Sequence, residues 1–564
     1  MRHAEGPLCS VDLTAWTVGT TDIDDVLESY LGGRGVGTKL VYDRVPFDAS
    51  PLGPENRLVL AAGPMQQSRM SFTGRTSLTG VSPLTDGLVS SNAGGFLSRN
   101  LVGTGYGAVE FTGAADELLA VHVRPDGVEF EPVPDLEGEE VPAVTEYADT
   151  EWDLDAEQLI CIGPAGENEV RFAAVMTTET RAFGRGGLGA VMGSKNLKVV
   201  TFEGDDAPDV EIEFPSEAMD VHRKAATSDH AMKRQGTNAG TDYANEVEAL
   251  PTRYFSEREF EGVEGINGDA VESKKYKKGT CSQCAFACKL PTKDEAADIE
   301  TEGPEFETMM AFGSNCAVDD IVEVMKSNDL CDRLGMDTIS CGDTIAAYLM
   351  AEDEFGNVDL IHELVEQIGY REGIGDLLAE GTHRAHEELG VHDWTVKGMD
   401  FPAHDGRHLH GQGLSFATAN RGADHMYASF YALEYPYVEK SKAVEPHGLD
   451  GKPELLVKKE NHNAVLDSGV VCKFSRDFLD EETLATLLDT TYDRLQDVGN
   501  RIVTLERHFN NQRGFDRDDD RLPYDLPGFE HALSEYYEIR GWSDDGVVPE
   551  SAVGGTSGAA PADD

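Results

Sequence analysis

From Val11 to about Gly204 the chain runs in short apolar stretches broken by glycine and proline. Examples are Arg57-Leu-Val-Leu-Ala-Ala-Gly63-Pro64, Gly107-Ala-Val-Glu-Phe-Thr-Gly113, Leu118-Leu-Ala-Val-His-Val123 and Leu197-Lys-Val-Val-Thr-Phe202. Such runs, bounded by turn formers, predict strands, with one helix expected near Ile23 to Leu31. The pattern changes around Gly204-Asp-Asp-Ala-Pro-Asp. From Ser216 onward apolar residues recur three and four apart, as in Ile321 to Leu334, Thr344 to Ala351, Val358 to Gly369 and Leu377 to Leu389. That period predicts helices. The expected fold class is α+β, a sheet-rich N-terminal part followed by mainly helical structure, with a flexible Gly/Ser/Ala/Pro-rich tail from Val553.

Length and charge sharpen this picture. At 564 residues the chain exceeds what one hydrophobic core serves, so several domains are expected. The formal net charge is −57, from 104 acidic and 47 basic residues, while 40% of the chain is hydrophobic. A disordered chain of that charge lacks such a core composition, so the reading is a folded, acid-coated protein. Self-repulsion on this scale calls for a salt-rich setting, and a halophile protein that loses structure in low salt is expected. No basic stripe stands out, which excludes nucleic acid as the expected partner. Nine cysteines, no signal segment and no apolar run of membrane length point to a reducing cytoplasm.

Three glycine-rich stretches invite a ligand. They are Ser71 to Thr85 with Arg75, Ser90-Ser-Asn92-Ala-Gly94-Gly95, and Thr180-Arg181-Ala182 running on to Asn196. Each alone reads as a tight turn. Together, with their arginines, they suit a phosphorylated cofactor, because exposed amides and guanidinium groups hold phosphate oxygens. Residues 184–189, Gly-Arg-Gly-Gly-Leu-Gly, match the dinucleotide fingerprint in form only. Gly193 and Asn196 interrupt the room for the required helix, and Val199 to Phe202 is already strand, so a Rossmann site is rejected.

The strongest chemical signal is Cys281-Ser-Gln-Cys284-Ala-Phe-Ala-Cys288, three thiols in eight residues, with Cys472 far downstream as a fourth candidate. Three-plus-one spacing is common for iron–sulfur clusters, whereas structural zinc more often takes two close pairs. The spacing favours a cluster and leaves zinc open. Cys9, Cys161, Cys316, Cys331 and Cys341 read as buried structural residues.

Taken together, several segments resemble the tungsten-containing aldehyde ferredoxin oxidoreductase family. They are Gly163-Pro-Ala-Gly166-Glu-Asn168, Arg185 to Lys198, the cysteine loop, Gly303-Pro-Glu305-Phe-Glu307, Cys331-Asp332-Arg-Leu-Gly335-Met-Asp337 and Asp467-x-x-Gly469-x-x-Cys472. The resemblance spans nearly the whole chain. It implies an N-terminal pterin-cradling domain (1–206), a helical domain with the cysteine loop (207–395), a second helical domain (396–550) and a tail (551–564). It further implies a tungsten–bispterin centre, with Cys281, Cys284, Cys288 and Cys472 on a [4Fe–4S] cluster. Arg75, Asn92, Gly94, Arg181, Ala182 and Gly184 fall on the pterin phosphates and their magnesium, and Asp332, Gly335, Asp337, Asp467 and Gly469 on the pterins. Glu305 and His425 fall beside the metal, where an acid or base is needed for aldehyde oxidation. Ferredoxin is the implied acceptor and a homodimer the implied assembly.

Departures are visible too. The family's interface metal uses Glu-x-x-His pairs, but Glu323-Val-Met-Lys326 ends in lysine, and Glu380-Gly-Thr-His383 matches by a spacing common on helices. The polar loop Ala403 to His410 is placed equally well on the substrate channel or on the surface. Molybdenum in place of tungsten, carboxylate reduction, a sugar-phosphate aldehyde substrate, and a non-catalytic metal-binding protein are the competing readings.

Overall fold

The computed structural model describes residues 1–204, 215–435 and 443–553. The expected boundary at 206/207 and most of the C-terminal tail lie outside the described residues.

Twelve strands build two six-stranded sheets. In the first, β1 (Leu8–Asp12), β2 (Thr17–Thr21), β3 (Leu58–Ala61), β4 (Arg75–Val81), β5 (Leu88–Gly94) and β6 (Ala108–Thr112) lie in the order β2-β1-β6-β3-β4-β5. In the second, β7 (Leu119–Arg124), β8 (Gly127–Pro132), β9 (Leu159–Cys161), β10 (Val175–Thr177), β11 (Arg181–Phe183) and β12 (Leu197–Phe202) lie in the order β11-β10-β9-β12-β7-β8. Pairing is antiparallel except β1 with β6 and β7 with β12. Alternate residues of both sheets share one core: Leu58, Leu60, Leu78, Val109 and Phe111 meet Val121, Ile160, Val175, Val200 and Phe202. Period-two alternation sends these side chains to one face of each strand.

None of the three glycine-rich stretches is simply a loop, and the third holds β11 and the helix Leu188–Ser194. Arg75–Val81 and Leu88–Gly94 pair along their full length, from Arg75 opposite Gly94 to Val81 opposite Leu88. Alternating Ser, Thr, Leu and Val fit a pleated strand. Gly80 is needed there, because a Cβ would lie 2.8 Å from the Arg57 carbonyl oxygen.

The other face of the first sheet is covered from both ends of the chain. Val59, Ala61, Val81 and Leu88 pack with helix Gly33–Arg44 and with helices Lys452–Gly469 and Tyr492–Gln512 near the C-terminus. Arg34 fixes this layer. Its buried guanidinium donates to both Glu506 oxygens at 2.7 and 2.8 Å, reaches Asp467 at 3.3 Å, and lies over the Tyr427 ring at 3.5 Å.

A separate helical core contains Phe306–Phe312, Ile321–Leu334, Thr338–Glu352 and Val358–Tyr370. Asp320 caps the second of these through Val322 N–H, and Gly335 ends it in the left-handed region at φ 77°. Asp337 caps the third through Ile339 and Ser340 N–H. The first Asp-x-x-Gly-x-Asp motif is therefore a helix end, a turn and a new cap. Thr344 to Ala351 extends back to Thr338, where burial on all sides hides the period. Leu377 to Leu389 is not one helix: Gly375–Leu378 and Thr382–Leu389 are divided at Gly381, φ 83°. Among the described residues no helix is long and apolar enough to cross a membrane.

Candidate active site

A cavity of about 690 Å3 opens where the β4–β5 hairpin meets the helical part. Its wall includes Arg75, Asn92, Gly184, Arg185, Lys289, Glu305, Glu307, His404, Arg421, His425, Tyr431, Asp467, Cys472 and Lys473. Arg75 and Lys473, 398 positions apart, thus share one space, which the two-ended covering of the first sheet permits.

One end is built of thiols and a guanidinium. Strand register sets Arg75 against Gly94, and Arg75 bonds to the Asn92 side chain and donates to its carbonyl at 2.8 Å. Its Nη1 lies 3.8 Å from Cys472 Sγ. A Cβ on Gly94 would meet Cys281 Sγ at 3.1 Å and Arg75 Nη1 at 3.2 Å, so a larger residue would press on both. Burial opposes the Arg75 charge, but Cys472, Cys281 and Asp467 outweigh it and raise its pKa. Burial raises the Cys284 and Cys288 thiols, and Cys472 and Cys281 add to both shifts. All four cysteines therefore lie within each other's field. Each is half-buried and free. Phe72, Phe286 and Phe478 back the loop, with ring centroids 5.2–5.5 Å apart. Among the described residues the three-ligand group drawn within 4.8 Å is His383, His386 and Asp393 on the surface, so the thiols stand wider than a single ion needs. A multi-iron cluster fits this donor set better than one zinc ion.

The opposite end is built of acids and imidazoles. Phe306 opens a helix, with Glu305 as its cap residue and Glu307 in its first turn. The two acids diverge. Glu305 accepts from Thr237 Oγ1 at 2.6 Å and Lys289 Nζ at 3.1 Å. Burial pushes its pKa up, but Lys289, Thr237 and Arg181 outweigh this and hold it below the usual value as a carboxylate. Glu307 accepts from Ala403 N–H at 2.7 Å and stands 3.2 Å from His425 Nε2 and 3.5 Å from His404 Nε2. Burial pushes it up to about 7, with Asp424 and Asp337 adding to the rise. Burial lowers His425 to about 3, helped by Arg185 and Arg421. At neutral pH both imidazoles are uncharged, and Glu307 is poised to hold or release one proton. His404 stacks on Tyr431 with centroids 3.7 Å apart and bonds to Tyr435 Oη at 3.0 Å.

Of the residues singled out in the sequence, Arg75, Asn92, Gly184, Glu305, His425, Asp467 and Cys472 reach the cavity. Cys281, Cys284 and Cys288 stand behind it, and Arg181 pairs with Glu302 at 2.8 Å and donates to the Thr280 carbonyl. Ala182 lies in β11 opposite Met176. Asp332 accepts from Asn328, and burial with Asp329 and Glu302 raises its pKa strongly. Gly335 and Asp337 serve the helix turn, Asp337 also facing Arg185 at 3.4 Å, and Gly469 ends the helix bearing Asp467. Asp467 accepts from Lys473 at 2.6 and 2.8 Å. Of the 403–410 loop only His404 faces the cavity; His408 and His410 gather around His447. Lys326 closes on Glu323 at 2.8 Å, and Glu380 is taken by Arg171 and Arg371. Sequence reasoning quoted Glu307 without giving it a role, and passed over Lys289, Arg421 and Lys473. Lys289 lies 16 positions from Glu305 and Lys473 six from Asp467, so no local spacing signals either pairing.

Several buried donors at this site have no hydrogen-bond partner among the described residues: Asn92 Nδ2, Arg181 Nη1 and Arg421 Nε. Unpaired buried donors are costly, and amide and guanidinium N–H groups suit phosphate oxygens. The site therefore fits an anionic cofactor. Two family models match the chain, "Aldehyde ferredoxin oxidoreductase, N-terminal domain" over residues 8–204 and "Aldehyde ferredoxin oxidoreductase, domains 2 & 3" over residues 215–554. The chain belongs to the aldehyde ferredoxin oxidoreductase family. This family member is 32% identical to the tungsten-containing aldehyde ferredoxin oxidoreductase of Pyrococcus furiosus, over 97% of the chain and 98% of the relative. It is 31% identical to the enzyme of that name from Thermococcus kodakarensis, over 93% and 94%. An aliphatic sulfonate oxidoreductase WOR-like subunit of Pyrococcus furiosus is 28% identical over 98% and 97%. The active-site complex BamBC of benzoyl-coenzyme A reductase shares the fold, with a TM-score of 0.84 at 22% identity over 98% and 97% of the two chains.

Proposed function

We propose that this family member oxidises an aldehyde with water to the carboxylic acid, releasing two electrons and two protons for ferredoxin and solvent. The observation that carries the reading is the Glu307–His425 pair facing, across one cavity, the Arg75–Cys472 end. Arg75, Asn92, Gly94, Arg181, Ala182 and Gly184 would hold the phosphate side of a bispterin and its magnesium. Asp332, Gly335, Asp337, Asp467 and Gly469 would stand near its rings, and Cys281, Cys284, Cys288 and Cys472 would hold a [4Fe–4S] cluster. When bound, the tungsten–pterin group and the cluster supply the two-electron sink and its one-electron exit.

The chain's own residues supply proton handling and orientation. Glu307, as carboxylate, takes the proton of the water that adds to the aldehyde carbon; a base with pKa near 7 is well matched to that task. With Nε2 3.2 Å from the Glu307 carboxylate, neutral His425 keeps its proton on that side and offers Nδ1, unpartnered among the described residues, as an acceptor that orients the attacking water. Glu305, ionised and held by Lys289 and Thr237, positions Lys289 beside the cysteine loop and does not exchange protons at neutral pH. This moves the proton-handling role expected at Glu305 to Glu307. The net charge of −57 supports a salt-adapted protein, expected to melt at higher temperature in molar KCl than in dilute buffer.

The test is anaerobic purification in KCl, elemental analysis and an aldehyde screen with viologen as acceptor. About one tungsten and about four iron per chain, with aldehyde-dependent reduction of the dye, are expected. Molybdenum would change the metal alone. Turnover of sulfonates or sugar-phosphate aldehydes would change the substrate, and zinc without iron would overturn the reading.

A further inference from the structure

One stretch of the described residues departs from the acid-coated surface expected from composition. Residues 273–293 carry six lysines and no acidic residue, in a chain of 104 acidic and 47 basic residues. This is the stretch that contains Cys281, Cys284 and Cys288. The structure folds it into a strip: Tyr276 N–H donates to the Pro291 carbonyl at 3.2 Å, Lys275 bridges to Thr292 and Gly279 to Lys289. Lys274 to Lys278 thus run beside Lys289 to Lys293, and the thiol loop is the turn joining them. Tyr276, Lys277, Lys278 and, in the loop itself, Gln283 are exposed.

Among the described residues two of the six lysines, Lys275 and Lys278, make no ion pair, and Lys277 and Lys293 meet theirs only at the 4.0 Å limit. Lys275 donates to the Lys233 carbonyl at 2.9 Å, and among the described residues no carboxylate lies in ion-pair range of Lys278. Arg99 arrives from the first domain, bonded to the Ser68 carbonyl at 2.8 Å and Ser282 Oγ at 3.4 Å. The acid contacts on this strip are Asp294 with Lys274 at 2.6 Å, Glu305 with Lys289 at 3.1 Å, Glu300 with Tyr276 Oη, and Glu300 and Glu295 at the 4.0 Å limit from Lys277 and Lys293. Protecting a sheet edge needs charge of either sign. In a chain this acidic, glutamate would serve that end, so the choice of lysine needs another reason.

We propose that this strip is the docking face for an acidic one-electron carrier protein of the ferredoxin type. The proposal rests on the ferredoxin reading above and adds where the carrier binds. Charge complementarity selects an acidic partner, and the thiol loop at the turn of the strip puts the electron exit beneath it. Each turnover would reduce two carrier molecules by one electron each, matching the two electrons released by the aldehyde.

The experiment uses the holoenzyme with Lys277→Glu and Lys278→Glu combined, and separately with both changed to Gln. KM for a purified acidic ferredoxin and the dissociation constant of the complex are measured at fixed ionic strength, with viologen-linked turnover as control. The Glu variant is expected to raise both constants roughly tenfold or more and the Gln variant less, while viologen turnover stays within about twofold. Unchanged ferredoxin constants with intact viologen turnover would overturn the docking face. Lysine-dependent ferredoxin binding without dye-linked aldehyde turnover would overturn the substrate reading and leave the docking face standing. Lysine-dependent binding of duplex DNA without binding of ferredoxin would also overturn it.

Discussion

Arg75 and Glu307, at the two ends of the cavity, answer burial in opposite ways. At the thiol end, burial opposes the Arg75 charge, yet Cys472, Cys281 and Asp467 surround it and keep it ionised. At the acid end, burial wins at Glu307 and His425: Glu307 rises to about 7 and His425 falls to about 3, because no lysine or arginine among the described residues contacts Glu307 as Lys289 contacts Glu305. The lesson is that two carboxylates two residues apart can take different roles, one fixed as a charge and one left free to titrate, according to whether a lysine reaches them.

The sharpest way to break this comparison is at the two acids. Glu307→Gln is expected to lower kcat about 1,000-fold with tungsten and iron contents unchanged. In the parent enzyme kcat/KM should rise with pH to a plateau above about 7, and the Gln variant should lose that limb. A retained limb would assign the titration elsewhere. Next in size is Arg75→Gln, which leaves thiolates and Asp467 without their buried cation; a loss of about 3 kcal/mol in unfolding free energy and an altered cluster EPR signal are expected. A variant with both unchanged would mean that Arg75 does not compensate the thiol end.

Stability sharpens the contrast further. A carboxyl whose folded pKa lies above its unfolded value binds its proton more tightly in the fold, so its stabilising contribution is present at low pH and lost as pH rises through about 7. Glu307→Gln should therefore be more stable than the parent at pH 8 by about 2 kcal/mol, and the difference should shrink toward pH 5, as denaturant titrations can check. The smallest effect belongs to Glu305→Gln. Its kcat should fall only about tenfold, since it positions Lys289 and carries no proton. A fall as deep as that of Glu307→Gln would erase the distinction between the two acids.

Strands and long helices were legible because their periods are local. Leu58–Ala61, Leu197–Phe202 and Ile321–Leu334 stand where alternation or three-four spacing predicts them. The β4–β5 hairpin was not, because its glycines and serines read as loop until the partner strand supplies their contacts. The cysteine loop was legible as chemistry, but the position of Cys472 against Arg75 is a tertiary fact. Glu305 and Glu307 look alike in sequence. Only the approach of Lys289 to one and of His404 and His425 to the other separates them.

Arg34 also has a meaning for how the chain is made. Its partner Glu506 lies 472 residues downstream. At a synthesis rate of about 5–20 residues per second, the ribosome needs roughly half a minute to a minute and a half to deliver it. Through that interval the uncovered face of the first sheet and a lone guanidinium wait in the nascent chain. The cavity is thereby completed late in biogenesis, since Asp467, Cys472 and Lys473 of its wall belong to the C-terminal part, and a truncated product that ends before Glu506 would expose an apolar sheet face for quality-control proteases to recognise.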